Sequence, residues 1–266
     1  MEGAGVKLHR GFANSEVPRY DPFLLFDDFS AADPVDYMAG FPWHPHRGIE
    51  TVTYILDGSV RHKDSIGSAG VIGKGDVQWM SAGSGIIHEE MPEGTGGIKG
   101  FQLWVNIPKS HKMSAPRYQE MRANALPEIT HGDAKVKIIA GDIAGARGPV
   151  EDIMADPLYA DVTLLPEKVF TFPVHAGYTT FIYIFEGNLG EGVGGIVAYQ
   201  KGDILLFERE NDSVVVCAGS VGARFLLVSG KPLDEEVAWG GPIVMNTQEE
   251  LATAFRELRD GSFIKK

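Results

Sequence analysis

The sequence has a single cysteine, Cys217, in its 266 residues. One thiol excludes an intrachain disulfide and a multi-cysteine structural zinc site, and it favours a reducing compartment. Cys217 stands in the apolar run SVVVCAG, where a small buried hydrophobe is a better reading than a redox thiol. Long apolar runs are also missing. No stretch approaches 18 apolar residues, and the opening MEGAGVKLHRGF has no apolar core of a signal peptide. The expectation is a cytoplasmic protein with no membrane span. Basic residues are scarce, with 24 Lys and Arg against 36 Asp and Glu, a formal net charge of −12. Nucleic-acid affinity comes mostly from cationic side chains displacing counterions, so no direct nucleic-acid binding is expected. A small molecule or a protein is the expected partner, and the chain is expected to be a monomer or a homodimer.

Helical periodicity is nearly absent as well. It shows only in NTQEELATAFRELRDG, where Thr247 and Glu250 form a capping-box pair and Leu251, Phe255 and Leu258 an apolar stripe. Gly261 supplies the stop. Elsewhere short β-branched and aromatic runs such as ETVTYIL, FQLWVNI, TFIYIFEG and RFLLVSG alternate with DG, KGD and SAGSG turns. The fold class is all-β, with a short C-terminal helix covering the outside of a barrel.

An internal repeat sets the organisation. HRGIETVTYILDG, from His46 to Gly58, aligns with HAGYTTFIYIFEG, from His175 to Gly187, at a separation of 129 residues. GKGDVQWM from Gly73 aligns with QKGDILLF from Gln200 at 127. Two blocks in nearly constant register imply a duplicated β-barrel domain. The boundary falls between Pro116 and Ala134, giving an N-terminal barrel at 1–130 and a C-terminal barrel with the helix at 131–266.

The chemistry concentrates in the first copy. In His44-Pro45-His46 the two imidazoles are i and i+2 on one strand and share a face. About forty residues on, His88 and Glu90 repeat that spacing in HEEMP, with Glu89 turned away. Alone, HPH reads as a surface turn and HEE as a solvated acidic edge. Two pairs on neighbouring strands of one barrel instead place three imidazoles and a carboxylate around a cavity. Such a set suits a single divalent Fe, Mn, Ni, Co or Cu ion with positions left open for substrate or water. The second copy is an internal control: Pro173, His175, Val215 and Cys217 stand at the offsets of His44, His46, His88 and Glu90. That set cannot hold an ion, so the second barrel is read as degenerate.

The segments FPWHPHRGIETVTYILDG, GDVQWMSAGSGIIHEEMP and GFQLWVNIP, with the early YDPFLLFDDF, resemble the pirin family of bicupins across essentially the whole chain. The resemblance implies two cupin barrels (double-stranded β-helix, or jelly roll). It implies metal ligation by the HPH histidines and by the His and Glu of HxEMP, which are His44, His46, His88 and Glu90 here. It also implies iron as the first choice of ion (Mn, Co, Ni, Cu or Zn being alternatives) and cleavage of a flavonol such as quercetin with O2. The animal members imply a second possibility, an iron-bearing, redox-responsive regulator acting through partner proteins. In the enzymatic reading Glu90 either completes the metal sphere or acts as the catalytic base. The residue between His88 and Glu90 is a glutamate, Glu89, which adds negative charge at the cavity rim.

Several residues are not promoted. His9, His62, His111 and His131 have no partner at ligand spacing and are read as solvated or capping. Phe41, Trp43, Trp79, Met80 and Trp104 are read as core, although Phe41 and Trp43 are near enough to wall an aromatic ligand. EGTGGIKG, 93–100, is glycine-rich but precedes a strand, which removes the phosphate-loop reading.

Overall fold

The computed structural model describes residues 3–194 and 196–265. The chain divides into two compact units, Met1–Ala123 with Leu233–Lys266, and Asn124–Pro232. No helix among the described residues is long and apolar enough to cross a membrane.

The first unit opens with β1 (His9–Phe12), a short helix α1 (Val17–Tyr20), β2 (Phe23–Asp28), β3 (Phe41–His46), β4 (Ile49–Asp57), β5 (Ser59–Asp64), β6 (Ala69–Ile72), β7 (Val77–Ser81), β8 (Ile86–Glu93), β9 (Lys99–Asn106) and β10 (Arg117–Met121). The strands make two sheets, β1-β2-β9-β4-β7-β10 and β3-β8-β5-β6. Their non-sequential order is that of a cupin jelly roll. β4 is buried from Ile49 through Ile55 without alternation, as a central strand covered on both faces must be. Phe29, Tyr37, Ile55, Val60, Ile72 and Ile98 form one apolar cluster, and Val17, Leu24, Ile49, Met80, Ala82, Ile86 and Val244 form another. The buried residues also include Thr53, His62, Asp64, Gln78, His88 and Glu90, so this barrel is polar inside.

The second unit comprises β11 (Glu128–His131), β12 (Ala134–Ala140), β13 (Asp142–Ile143), β14 (Ala146–Arg147), β15 (Leu158–Leu164), β16 (Val169–Pro173), β17 (Thr179–Glu191), β18 (Val197–Gln200), β19 (Ile204–Phe207) and β20 (Ser213–Gly230). Its main sheet runs β11-β12-β15-β20-β17-β18, with β16 on β20 and β19 on β17. The repeated Lys-Gly-Asp turns lead into β7 and β19, and Gly75 and Gly202 both carry positive φ, 80° and 96°. Its interior is filled by Val162, Phe170, Ile182, Ile184, Val214, Val216, Phe225 and Leu227. Where the first barrel is polar, the second is packed with hydrocarbon.

After β20 the chain returns to the first unit as a hairpin of β21 (Ala238–Gly240) and β22 (Ile243–Met245), then helix α2 (Gln248–Arg259). The repeat alone places all of 131–266 in the second barrel. The helix instead packs in the first unit, because its stripe finds an apolar face there. Leu251 and Ala254 are buried with Ala238, Ile243, Met245 and Phe263, and Phe255, Leu258 and Ile87 of β8 pack against them. The capping box forms as expected: Thr247 Oγ1 accepts from Glu250 N at 3.1 Å, and the Glu250 carboxylate accepts from Thr247 N at 3.0 Å. Gly48 makes the close approach possible, since a Cβ there would lie 1.9 Å from the Val244 carbonyl oxygen. Buried Lys112 bolts the same junction, donating to Gly48 O at 2.8 Å, Asn106 Oδ1 at 2.7 Å and Val244 O at 3.1 Å.

Candidate metal centre

β3 delivers His44 and His46, and β8 delivers His88 directly opposite His44. The three rings gather with centroids 4.4 to 5.0 Å apart. Each offers a ring nitrogen, all within 4.8 Å of one another, and among the described residues no other such group of His, Cys, Asp or Glu occurs. His46 and His88 are buried and His44 is half-buried.

The ring orientations are set by the backbone. His44 Nδ1 lies 2.9 Å from Pro42 O and His46 Nδ1 lies 3.1 Å from Pro242 O. Each Nδ1–H donated to a carbonyl leaves the Nε2 lone pair facing inward. Those two Nε2 atoms are 3.0 Å apart. His88, 1% exposed, has no hydrogen-bond partner at either nitrogen. Two lone pairs facing each other beside an orphaned buried imidazole is the arrangement a cation relieves. Burial pushes the His46 and His88 pKa values well below the usual imidazole range, and the neighbouring histidines push them further. Both rings are therefore neutral, the form that ligates. Three imidazoles without thiolate fit a transition metal with open positions.

Glu90 is buried, but its carboxylate stands outside the three-histidine group. Thr53 Oγ1 donates to Oε1 at 3.1 Å and Gln102 Nε2 to Oε2 at 3.4 Å. A cavity of about 630 Å³ opens over the site, walled by Phe41, His44, His46, Glu90, Trp104 and Trp239 among others. Trp104 sits edge-on to His46 at 5.1 Å and 5.8 Å from Trp239.

Several sequence assignments change. Trp43 is 48% exposed and does not line the cavity. Trp104, read as core, is a wall. Trp79 and Met80 are buried, as expected. His62 is not solvated: it is 1% exposed with Nε2 2.7 Å from Glu120 Oε1, because β5 turns alternate residues into a polar interior. His9 and His111 are exposed, and half-buried His131 reaches Thr171 O at 3.1 Å. Glu89 lies 3.5 Å from Arg61, on the strand face opposite Glu90, so it places no charge at the cavity rim. The 93–100 run joins β8 to β9 without a helix. In the second unit His175 is exposed, 4.9 Å from the Tyr178 ring, and Cys217 is buried. Trp239 and Pro242 were not anticipated. They lie almost 200 residues from His44 and His46 and about 150 from His88, and no local signal ties them together.

Residues 5–105 match the family model described as Pirin, and residues 159–264 match the Pirin C-terminal cupin domain. A pirin-like protein of Caulobacter vibrioides is 45% identical over 267 residues, covering 98% of this chain and 94% of that protein. Pirin of Homo sapiens is 38% identical over 261 residues, covering 97% of this chain and 88% of that protein. A crystal structure of quercetin 2,3-dioxygenase from Acinetobacter baumannii superposes with a TM-score of 0.89 at 32% identity, covering 99% of this chain and 93% of that one.

Proposed function

The chain belongs to the pirin family of two-cupin proteins, and from that premise we propose that it is a metal-dependent dioxygenase opening the central ring of a flavonol such as quercetin with O2. The carrying observation is a three-histidine cluster facing a 630 Å³ cavity walled by aromatic side chains. In this reading His44, His46 and His88 hold one divalent transition metal, iron first, with Mn, Co, Ni, Cu or Zn as alternatives. Held there, such an ion would supply Lewis-acid polarisation of the flavonol oxygens and, for a redox-active metal, electron transfer.

The side chains do the remaining work. Phe41, Trp104 and Trp239 offer flat apolar walls that orient a planar ligand and exclude water. Glu90 takes the proton of the 3-hydroxyl as the catalytic base, with Thr53 and Gln102 aiming its carboxylate. The similarity to quercetin 2,3-dioxygenase at 32% identity supports this substrate class. A cytoplasmic location belongs to the same reading, on the single buried cysteine.

Protein reconstituted with Fe(II), Mn(II), Co(II) or Ni(II) is expected to consume quercetin and O2 in equal amounts. The near-ultraviolet flavonol band should bleach and carbon monoxide should be released. Glu90→Gln should slow turnover by about 10²–10⁴-fold. Stoichiometrically loaded protein that leaves quercetin untouched in air would move the assignment to the regulatory role.

A further inference from the structure

The two strands flanking β8 bring different chemistry to His88. On one side its direct partner is His44 of β3, and on the other it is Asp64 of β5. Directly opposed residues of antiparallel strands share a face, with Cβ atoms about 4.5–5.5 Å apart. His44, His88 and Asp64 therefore form one row across the sheet, with Glu90 and His62 paired in the next.

Asp64 is 4% exposed. Its Oδ1 accepts from Ile66 N and Ser68 N, both at 2.9 Å, and so closes the turn between β5 and β6. Its Oδ2 has no hydrogen-bond partner, and neither do His62 Nδ1 and the two nitrogens of His88. The Tyr118 hydroxyl lies against the Asp64 carboxylate, and the Tyr118 ring stacks 5.9 Å from that of His62. His62 Nε2 approaches Glu120 at 2.7 Å, and Gln78 donates to the same carboxylate at 2.9 Å. Unpaired buried polar atoms are costly, yet several collect behind the same imidazole. His44 and His46 have carbonyl acceptors at Pro42 and Pro242, while the third histidine has the Asp64 carboxylate in its row.

We propose that Asp64, backed by His62 and Tyr118, is the positioning residue for His88. Its Oδ2 accepts, through one bridging water, the N–H of the ring nitrogen turned away from His44 and His46. The other nitrogen then presents its lone pair to the ion. A carboxylate in that place fixes the tautomer and raises the basicity of the ligand. The inference rests on the metal-centre reading above.

The test titrates the full-length apo protein with Co(II) against a competing chelator while recording the visible Co(II) absorption. Asp64→Asn keeps an oxygen for the turn and removes the second acceptor. It should weaken Co(II) binding about 10–100-fold and alter the Co(II) band, with the apo melting temperature unchanged. Wild-type affinity with an unchanged band would overturn the proposal. No Co(II) uptake by the wild type would sink the metal reading itself, and this one with it. A second measurement needs no variant: long-range ¹⁵N spectra of the wild-type imidazoles should show His88 in one fixed tautomer. Rapid averaging between its tautomers would overturn the assignment.

Discussion

Replacing Arg47 with methionine tests how the first barrel keeps its returning segment. Arg47 is 2% exposed, with Nε donating to Ser84 O at 2.7 Å, Nη2 to Phe263 O at 2.8 Å and Nη1 to Glu257 at 2.8 Å. Its guanidinium lies 4.2 Å over the Phe263 ring. Methionine retains much of the apolar stem and none of the donors. Two buried carbonyls then lose a charged donor, at about 1–3 kcal/mol each, and the ring contact adds about 0.5–2 kcal/mol. Glu257 keeps Lys265 at 2.7 Å, which limits the third loss. Relief of the arginine's own desolvation offsets part of the total, leaving a net loss of about 3–5 kcal/mol, as for breaking a buried ion pair. Urea unfolding of the apo protein should show it as a lower midpoint at unchanged slope. Hydrogen exchange should rise across 238–259, and metal affinity should fall because Pro242 no longer steadies His46. A loss below about 1 kcal/mol, or unaltered exchange in that segment, would refute the reasoning.

Elemental analysis should find one metal ion per chain, lost in His46→Ala and in His88→Ala; a stoichiometry near two, or full retention by His88→Ala, would break the three-histidine assignment. His175→Ala should leave metal content unchanged, and loss of the ion there would move the site to the other barrel. Burial lowers the Lys112 pKa from 10.5 to about 7, so between pH 7 and 10.5 the unfolded chain binds more protons and stability rises with pH. Relative to Lys112→Met, the wild type should therefore gain on going from pH 7 to 9, at up to about 1.4 kcal/mol per pH unit; unfolding midpoints that keep a constant difference would contradict this.

Much of the site was legible because its signals are local. The i, i+2 spacing of His44 with His46 and of His88 with Glu90 needs only strand geometry, and the Thr247–Glu250 capping box needs only one helical turn. His62 was misread for a physical reason. Arg61 and Lys63 on either side are exposed while Val60, His62 and Asp64 point inward, so a strand facing a polar interior resembles a solvated edge. The destination of the C-terminal helix was hidden differently. Its apolar stripe states that some surface must be covered but not which one, and only Gly48 and the Ile87 face decide it. Trp239 and Pro242 follow the helix to the same place.

The return of the C-terminal segment imposes an order in time. Synthesis delivers His44, His46 and His88 early and Pro242 only after the whole of Asn124–Pro232 has been made. From His88 to Pro242 is 154 residues, so at ~5–20 residues per second that interval lasts roughly 8–30 s. Throughout it, His46 lacks its carbonyl acceptor and the cavity lacks its Trp239 wall. A chain stopped before Pro242 thus carries His44, His46 and His88 but an unfinished site.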